Sequence, residues 1–431
     1  MKIHIKGGRL IDPKHVIDGQ SDVYIAAGKI VGVGEAPKGW TANRTIDASN
    51  LVVCPGLVDL AARLREPGFE YMATLDSEME AAIAGGVTSL ACPPDTDPPL
   101  DEPGLVEMLK FRAKTLNRAR VYPVGALTIG LQGTRLTEMA ELRDSGCIAF
   151  SQADAPLADN NVLFLAMQYA STFGFPVWLR PQDVALACGG VAHDGQVAAR
   201  LGLPPIPVFA ETAALAVILL LARETGARVH LCRLSSAEGV DMVRRAKADG
   251  LPVTCDIAVH HAHLSEMDIG YFDANCRVIP PFRSPRDREA LRKALADGTI
   301  DALCSDHTPV DDDAKQLPFS EAEVGVTALE LLLPLTLKWA GECDIPLSTA
   351  IARITSDPAR VLGIDAEHLA SGAVADVCIF DPQRYWKVEA AALRSQGKNT
   401  PYTGIEIQGR VACTIIEGQV VYEGARSTGS R

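Results

Sequence analysis

The sequence predicts an α/β protein in which one (β/α)8 barrel is accompanied by a smaller composite β-unit built from the two ends of the chain. Three observations carry that expectation. At 431 residues the chain is too long for one small domain and suits a large barrel with a companion. Its middle alternates short runs that are apolar throughout with helical stretches, the pattern of parallel strands covered on both faces. Its ends show period-two alternation punctuated by glycine, the pattern of antiparallel sheet.

Taken in order, Ile3–Lys6, Asp22–Ile25 and Ala27–Val33 read as short strands, with Gly7-Gly8 breaking the first. Eight apolar runs follow: Leu51–Cys54, Thr88–Cys92, Val121–Val124, Cys147–Phe150, Pro176–Leu179, Arg228–Cys232, Val253–Asp256 and Ala302–Cys304. Helices such as Glu211–Glu224 join them, and eight such units make a barrel whose chemistry sits at the strand C-terminal ends. Near the C-terminus, Ala375–Asp381 and the hairpin Cys413–Tyr422, turning at Glu417-Gly418, return to the antiparallel style. The expected division is residues 1–53 with 367–431 for the β-unit and 54–366 for the barrel.

A net charge of -13, with no run of basic residues, argues against nucleic-acid and anionic-membrane partners, which need clustered positive charge. The chain enters a strand pattern at once, and no 18 apolar residues run together, so neither a signal peptide nor a membrane span is expected and the location is cytoplasmic. The 11 cysteines are scattered singly without a Cys-x-x-Cys and read as reduced core thiols.

Several fragments together resemble dihydroorotase of the amidohydrolase superfamily: Pro55–Leu60 with Leu64–Gly68, Gly85–Thr88, Ala274–Arg277 with Pro280-Pro281, Ser305–Pro309, and Asp357–Arg360. The resemblance runs from Lys6 to about Gly424 and implies a (β/α)8 TIM barrel of the metal-dependent hydrolase type, with a composite β-sandwich formed by the N- and C-terminal segments. Active members use zinc to activate water against the dihydroorotate ring amide.

The family's metal ligands do not carry over. Its His-x-His pair, two imidazoles on one side of a strand end, falls on Ala61 and Arg63. Its bridging-carboxylate stretch reads Phe150-Ser-Gln152-Ala153-Asp154, so both aspartate positions are neutral and Asp154 is one residue out of step. Two further histidine positions are Arg180 and Arg233, and a guanidinium has no lone pair for a metal. Asp306 remains at the proton-shuttling position, followed by His307; one carboxylate cannot rebuild a binuclear site, and the two read as a vestige or as a buried hydrogen-bonded pair.

Of the substrate-contacting positions, Arg65 matches the carboxylate clamp and reads as a salt-bridged remnant, whereas Asp95, Ile279 and Val310 replace two asparagines and a histidine. No catalytic residue set is therefore intact, and no metal or other cofactor is expected. Arg63, Arg180 and Arg233 are expected to replace the zinc charge by pairing with Asp59, Asp95 and Asp306, because unpaired buried carboxylates are costly. A second cluster, His260-His261-x-His263, looks metal-like but matches no main ligand pair.

The resemblance implies a catalytically inactive, dihydroorotase-like chain that serves as a structural subunit of aspartate carbamoyltransferase, in a mixed dodecamer, and that also self-associates. Two other readings stand beside it. One is a sensor binding a pyrimidine intermediate through Arg65 and the arginines; the other is a divergent amidohydrolase using Asp306 with one metal or none.

Overall fold

The protein is described here by a computed structural model covering residues 1–364 and 368–424. The expected boundary between residues 366 and 367, and residues 425–431, lie outside the described residues. Eight parallel strands form the barrel: β1 (Leu57–Asp59), β2 (Val87–Cys92), β3 (Arg120–Ala126), β4 (Ala149–Ser151), β5 (Val177–Leu179), β6 (Val229–Leu231), β7 (Val253–Ala258) and β8 (Ala302–Cys304). Every residue of β1, β2 and β8 is buried, as expected where helices cover the outside and side chains fill the inside.

β1 and β8 meet through the segments that follow them. Arg63 N donates to His307 O at 2.9 Å, and His307 N donates to Ala61 O at 3.0 Å. The residues that close the barrel are thus the ones on which the family's chemistry depends.

Some of the helices that return the chain begin with side-chain caps, as at Thr74–Ser77 before Leu75–Ala84 and Ser284–Asp287 before Pro285–Asp297. The terminal segments share one eight-stranded sheet centred on Lys2–Asp12. It curls over Ile3, Ile5, Leu10, Val23, Ile25, Val377 and Ile415 to make the β-sandwich. The expected hairpin turn is present, with Glu417 at φ 49° and Gly418 at φ 70° between the strands Glu406–Ile416 and Gln419–Glu423.

One strand differs from expectation. The Leu51–Cys54 run, read as the first barrel strand, is Val52–Pro55 of the terminal sheet, parallel to Lys2–Asp12 and antiparallel to Val377–Lys387. Gly56 breaks it from β1, and a Cβ there would lie 2.0 Å from Thr88 Oγ1. Only after that close approach does the chain enter the barrel. Eight of the 11 cysteines are buried, as expected of core thiols; Cys188 is exposed, against that expectation. Among the described residues no helix is long and apolar enough to cross a membrane.

Candidate functional site

The C-terminal ends of the barrel strands converge on a cluster of guanidinium and carboxylate groups. Arg63 follows β1, Asp95 follows β2, Asp154 follows β4, Arg180 follows β5, Arg233 follows β6 and Asp306 follows β8. Arg63 is 7% exposed and donates through Nε to Asp95 at 2.7 Å, through Nη2 to Asp154 at 2.6 Å, and through Nη1 to Asp306 at 3.2 Å and Thr308 at 2.9 Å. Arg233 donates to Asp154 at 2.6 Å and Asp306 at 2.9 Å. Arg180 donates to Asp154 and to Gln182. Three cations thus meet three anions, and the buried charge is locally neutral.

Asp154 is the hub. Ala153 adopts a left-handed φ of 51°, and the turn delivers the Asp154 carboxylate into the mouth despite its offset from the family pattern. Burial opposes its charge, but Arg233, Arg180 and Arg63 outweigh that and hold its carboxyl well below the usual carboxylate range. Asp306 has the opposite balance: burial raises its carboxyl, against Arg233 and Arg63.

Asp59 does not join the arginines, contrary to the expected pairing. It lies deeper, accepting from Ser305 N at 2.8 Å and from the Ser305 hydroxyl, and burial pushes its carboxyl up to about 6. The physical reason is position: Asp59 ends β1 inside the barrel, whereas the guanidinium groups sit beyond the strand ends. Asp154 takes the place that the sequence reading gave to Asp59.

The remaining expected site residues fall as follows. Ala61 and Ala153 line the cavity left beneath the cluster, with a volume of only about 30 Å3. Gln152 turns away, accepting from Thr128 at 2.9 Å and donating to Leu131 O at 2.8 Å. Asp306 and His307 are both buried and bonded, but not to each other. His307 Nε2 donates to Glu78 at 2.6 Å while its Nδ1 accepts from Ala328 N at 3.1 Å and Leu329 N at 3.3 Å. Every nitrogen of that ring is engaged, so His307 is a strut between the barrel and the helix Leu75–Ala84.

Arg65 corrects the salt-bridge expectation: its Nε donates to Pro309 O at 2.7 Å, and no carboxylate among the described residues pairs with it. Burial first, then the neighbouring Arg63, lowers its guanidinium to about 10. The His260-His261-x-His263 run does not converge either. His261 reaches Pro280 O at 3.1 Å, His263 reaches Leu335 O at 2.8 Å, and His260 has no hydrogen-bond partner.

Two groups escaped the sequence reading. Glu78 has no motif around it, and nothing local signals its pairing with a residue 229 positions away. Asp154 had a signal in the charge count: three arginines replacing histidines need three acceptors within reach.

Residues 50–239 match the Dihydro-orotase-like family and residues 190–421 the Amidohydrolase family. A dihydroorotase-like protein of Pseudomonas aeruginosa is 44% identical over 424 residues, spanning 98% of this chain and 100% of that one. The chain is a dihydroorotase-like member of the amidohydrolase family. A Geobacter sp. (strain M21) relative named dihydroorotase is 40% identical, spanning 98% of this chain and 100% of its own. L-hydantoinase (dihydropyrimidinase) from Arthrobacter aurescens has the same fold, with a TM-score of 0.87 at 25% identity over 98% of this chain and 96% of that one.

The zinc implied by that family does not fit the residues of this dihydroorotase-like chain. The carboxylates that would face it are bonded to guanidinium groups, and a cavity of about 30 Å3 has room for roughly one water. A dication would meet three fixed positive charges. Among the described residues one other trio could hold an ion, His230, Cys232 and Asp256, whose ligand atoms lie within 4.8 Å of one another. There His230 Nε2 already donates to Asp256 at 2.9 Å while Nδ1 accepts from Thr254 at 2.8 Å, leaving its ring no free lone pair. Asp256 also accepts from Arg233 N at 2.6 Å, so the trio braces the loop that carries Arg233.

Proposed function

We propose that this chain is a non-catalytic, cytoplasmic subunit that supports the assembly and activity of aspartate carbamoyltransferase. The observation that carries the reading is the neutral arginine–carboxylate cluster standing where the resemblance puts the zinc site. Water activation needs a metal or a free base, and here three of the four histidine positions hold guanidinium groups that only donate while the fourth is Ala61, which offers no ligand atom. Asp306, the one carboxylate kept at a reacting position, is bonded to Arg63 and Arg233 where the resemblance would have it face a metal.

An assembly role is further supported by the outer helices. Val208–Thr225 is apolar nearly all round, exposing Phe209 and Leu220, and the neighbouring helix Asn160–Phe173 exposes Leu165 and Phe173. Such a face fits burial against another subunit, including a second copy of this chain.

The test is size-exclusion chromatography with light scattering on the host's aspartate carbamoyltransferase, expressed with and without this chain. Transcarbamoylase activity, dihydroorotase activity and zinc are measured in every peak. Co-elution in a large complex whose transcarbamoylase activity needs this chain, without dihydroorotase activity or stoichiometric zinc, is the expected outcome. Separate elution with unchanged transcarbamoylase activity overturns the assembly role; dihydroorotase activity that tracks bound zinc overturns the non-catalytic one.

A further inference from the structure

A second cavity, of about 510 Å3, opens beside the cluster between the loop after β4, the segment after β5 and the helix Val208–Thr225. That volume lies in the range of small-molecule sites, and the walls mix polar groups with an apolar stretch of Leu157, Leu163, Leu179, Val217 and Ile218. One wall group stands out chemically. Arg277 is 8% exposed, its Nε has no hydrogen-bond partner, and its Nη1 makes a single bond, to Val191 O at 3.3 Å.

No carboxylate among the described residues pairs with Arg277. Two line the same cavity, and both are engaged elsewhere. Asp154 is shared by three arginines, and Asp183 caps the short helix Val184–Ala187 by accepting from Leu186 N at 2.9 Å. Lys315 beside it brings no anion, its amine donating to the Arg277 carbonyl at 3.4 Å. Burial alone depresses the Arg277 guanidinium, and burial with Arg277 beside it lowers the Lys315 amine to about 8. A guanidinium kept out of water without an anion is costly, and an anion arriving from solution removes that cost.

We propose that this cavity binds a small monocarboxylate with an apolar body, its carboxylate held by the Arg277 fork. One uncompensated guanidinium suits a single negative charge, and a planar carboxylate matches its donors two by two. Phosphate esters fit less well, because a dianion would face Asp154 and Asp183 with a single unpaired guanidinium to balance its charge. Arg65, the family's substrate-carboxylate position, does not line this cavity. The site stands whether or not the chain has an assembly partner.

The test is calorimetric titration of the full chain with 3-phenylpropionate and with its neutral amide, 3-phenylpropanamide, on the wild type and the R277M, R277K and R65M variants. Saturable binding of the carboxylate is expected, weakened about tenfold or more both by the amide replacement and by R277M, and unchanged by R65M. R277K is expected to fall between, keeping charge but losing the fork; it also reports if R277M fails to fold. No saturable binding of 3-phenylpropionate, equal binding of acid and amide, or a loss on R65M with none on R277M or R277K overturns the site.

Discussion

Asp154→Asn tests the hub of the cluster with an almost isosteric change. The substitution removes one negative charge while leaving the side chain's size intact. Arg63 keeps Asp95 at 2.7 Å and Asp306 at 3.2 Å, and Arg233 keeps Asp306 at 2.9 Å. Arg180 keeps no carboxylate, only the Gln182 amide. Removing one partner of a buried ion pair costs roughly 3–5 kcal/mol, and because the Asp154 side chain is 32% exposed the low end applies, about 3 kcal/mol. Urea unfolding followed by tryptophan fluorescence reads this locally, since Trp178 of β5 packs at a tilt against His230 with ring centroids 4.9 Å apart. The double variant D154N/R180M, which deletes the stranded cation, should recover about 1–2 kcal/mol of that loss. A D154N protein within about 0.5 kcal/mol of wild type, or a double variant no more stable than D154N, would show that the charges are solvated and that the pairing is incidental.

Three further outcomes follow from the same contacts. His260 and His261 are buried and His263 half-buried, all three neutral, with burial lowering His260 well below its usual value and the other two to about 4. The unfolded chain therefore binds protons below roughly 6.5 that the folded one does not, and stability should fall from about pH 6.5 down to about 4; a flat urea midpoint over that window refutes it. Glu78→Gln places an amide NH2 against the donors that its carboxylate now serves, His307 at 2.6 Å, Ser395 at 2.6 Å and Gln396 N at 2.9 Å, and should cost about 2 kcal/mol in the same unfolding assay. Leu220→Glu, at a position 56% exposed on the apolar helix, should lower the light-scattering mass of the isolated chain without moving its unfolding midpoint; an unchanged mass removes that face from self-association.

The barrel was legible because its strands are buried on both sides, so that runs such as Val177–Leu179 and Ala302–Cys304 are apolar throughout and cannot be read as surface strands. The boundary at Gly56 was not, because Val52–Pro55 and Leu57–Asp59 are equally apolar and only a contact with Thr88 separates them. In the site, the side-chain chemistry was legible and the partners were not. That Arg63, Arg180 and Arg233 cannot bind a metal follows from their lone pairs; that they meet at Asp154 follows from one left-handed residue, Ala153, in a sequence where alanine does not announce that conformation. Arg277 likewise stands in a recognisable motif, but its lack of an anion is a property of the assembled cavity.

The choice of arginine bears on what the barrel mouth is for. Apolar residues of similar volume replace buried ion pairs at little or no cost in stability, so the loss of a metal does not by itself call for guanidinium groups. What the arginines add is reach. Arg63 links the segment after β1 to those after β2, β4 and β8, Arg233 links β6 to β4 and β8, and Arg180 links β5 to β4. Six of the eight strand ends are cross-linked through three side chains, which is the mechanical part of what a shared metal does, retained without its Lewis acidity. A mouth held this way keeps its loops fixed, and a fixed loop surface loses little conformational freedom when a partner settles on it. Metal-dependent turnover uses the reverse arrangement, an open coordination position, and the proposed assembly role is the one that a closed, cross-linked mouth serves.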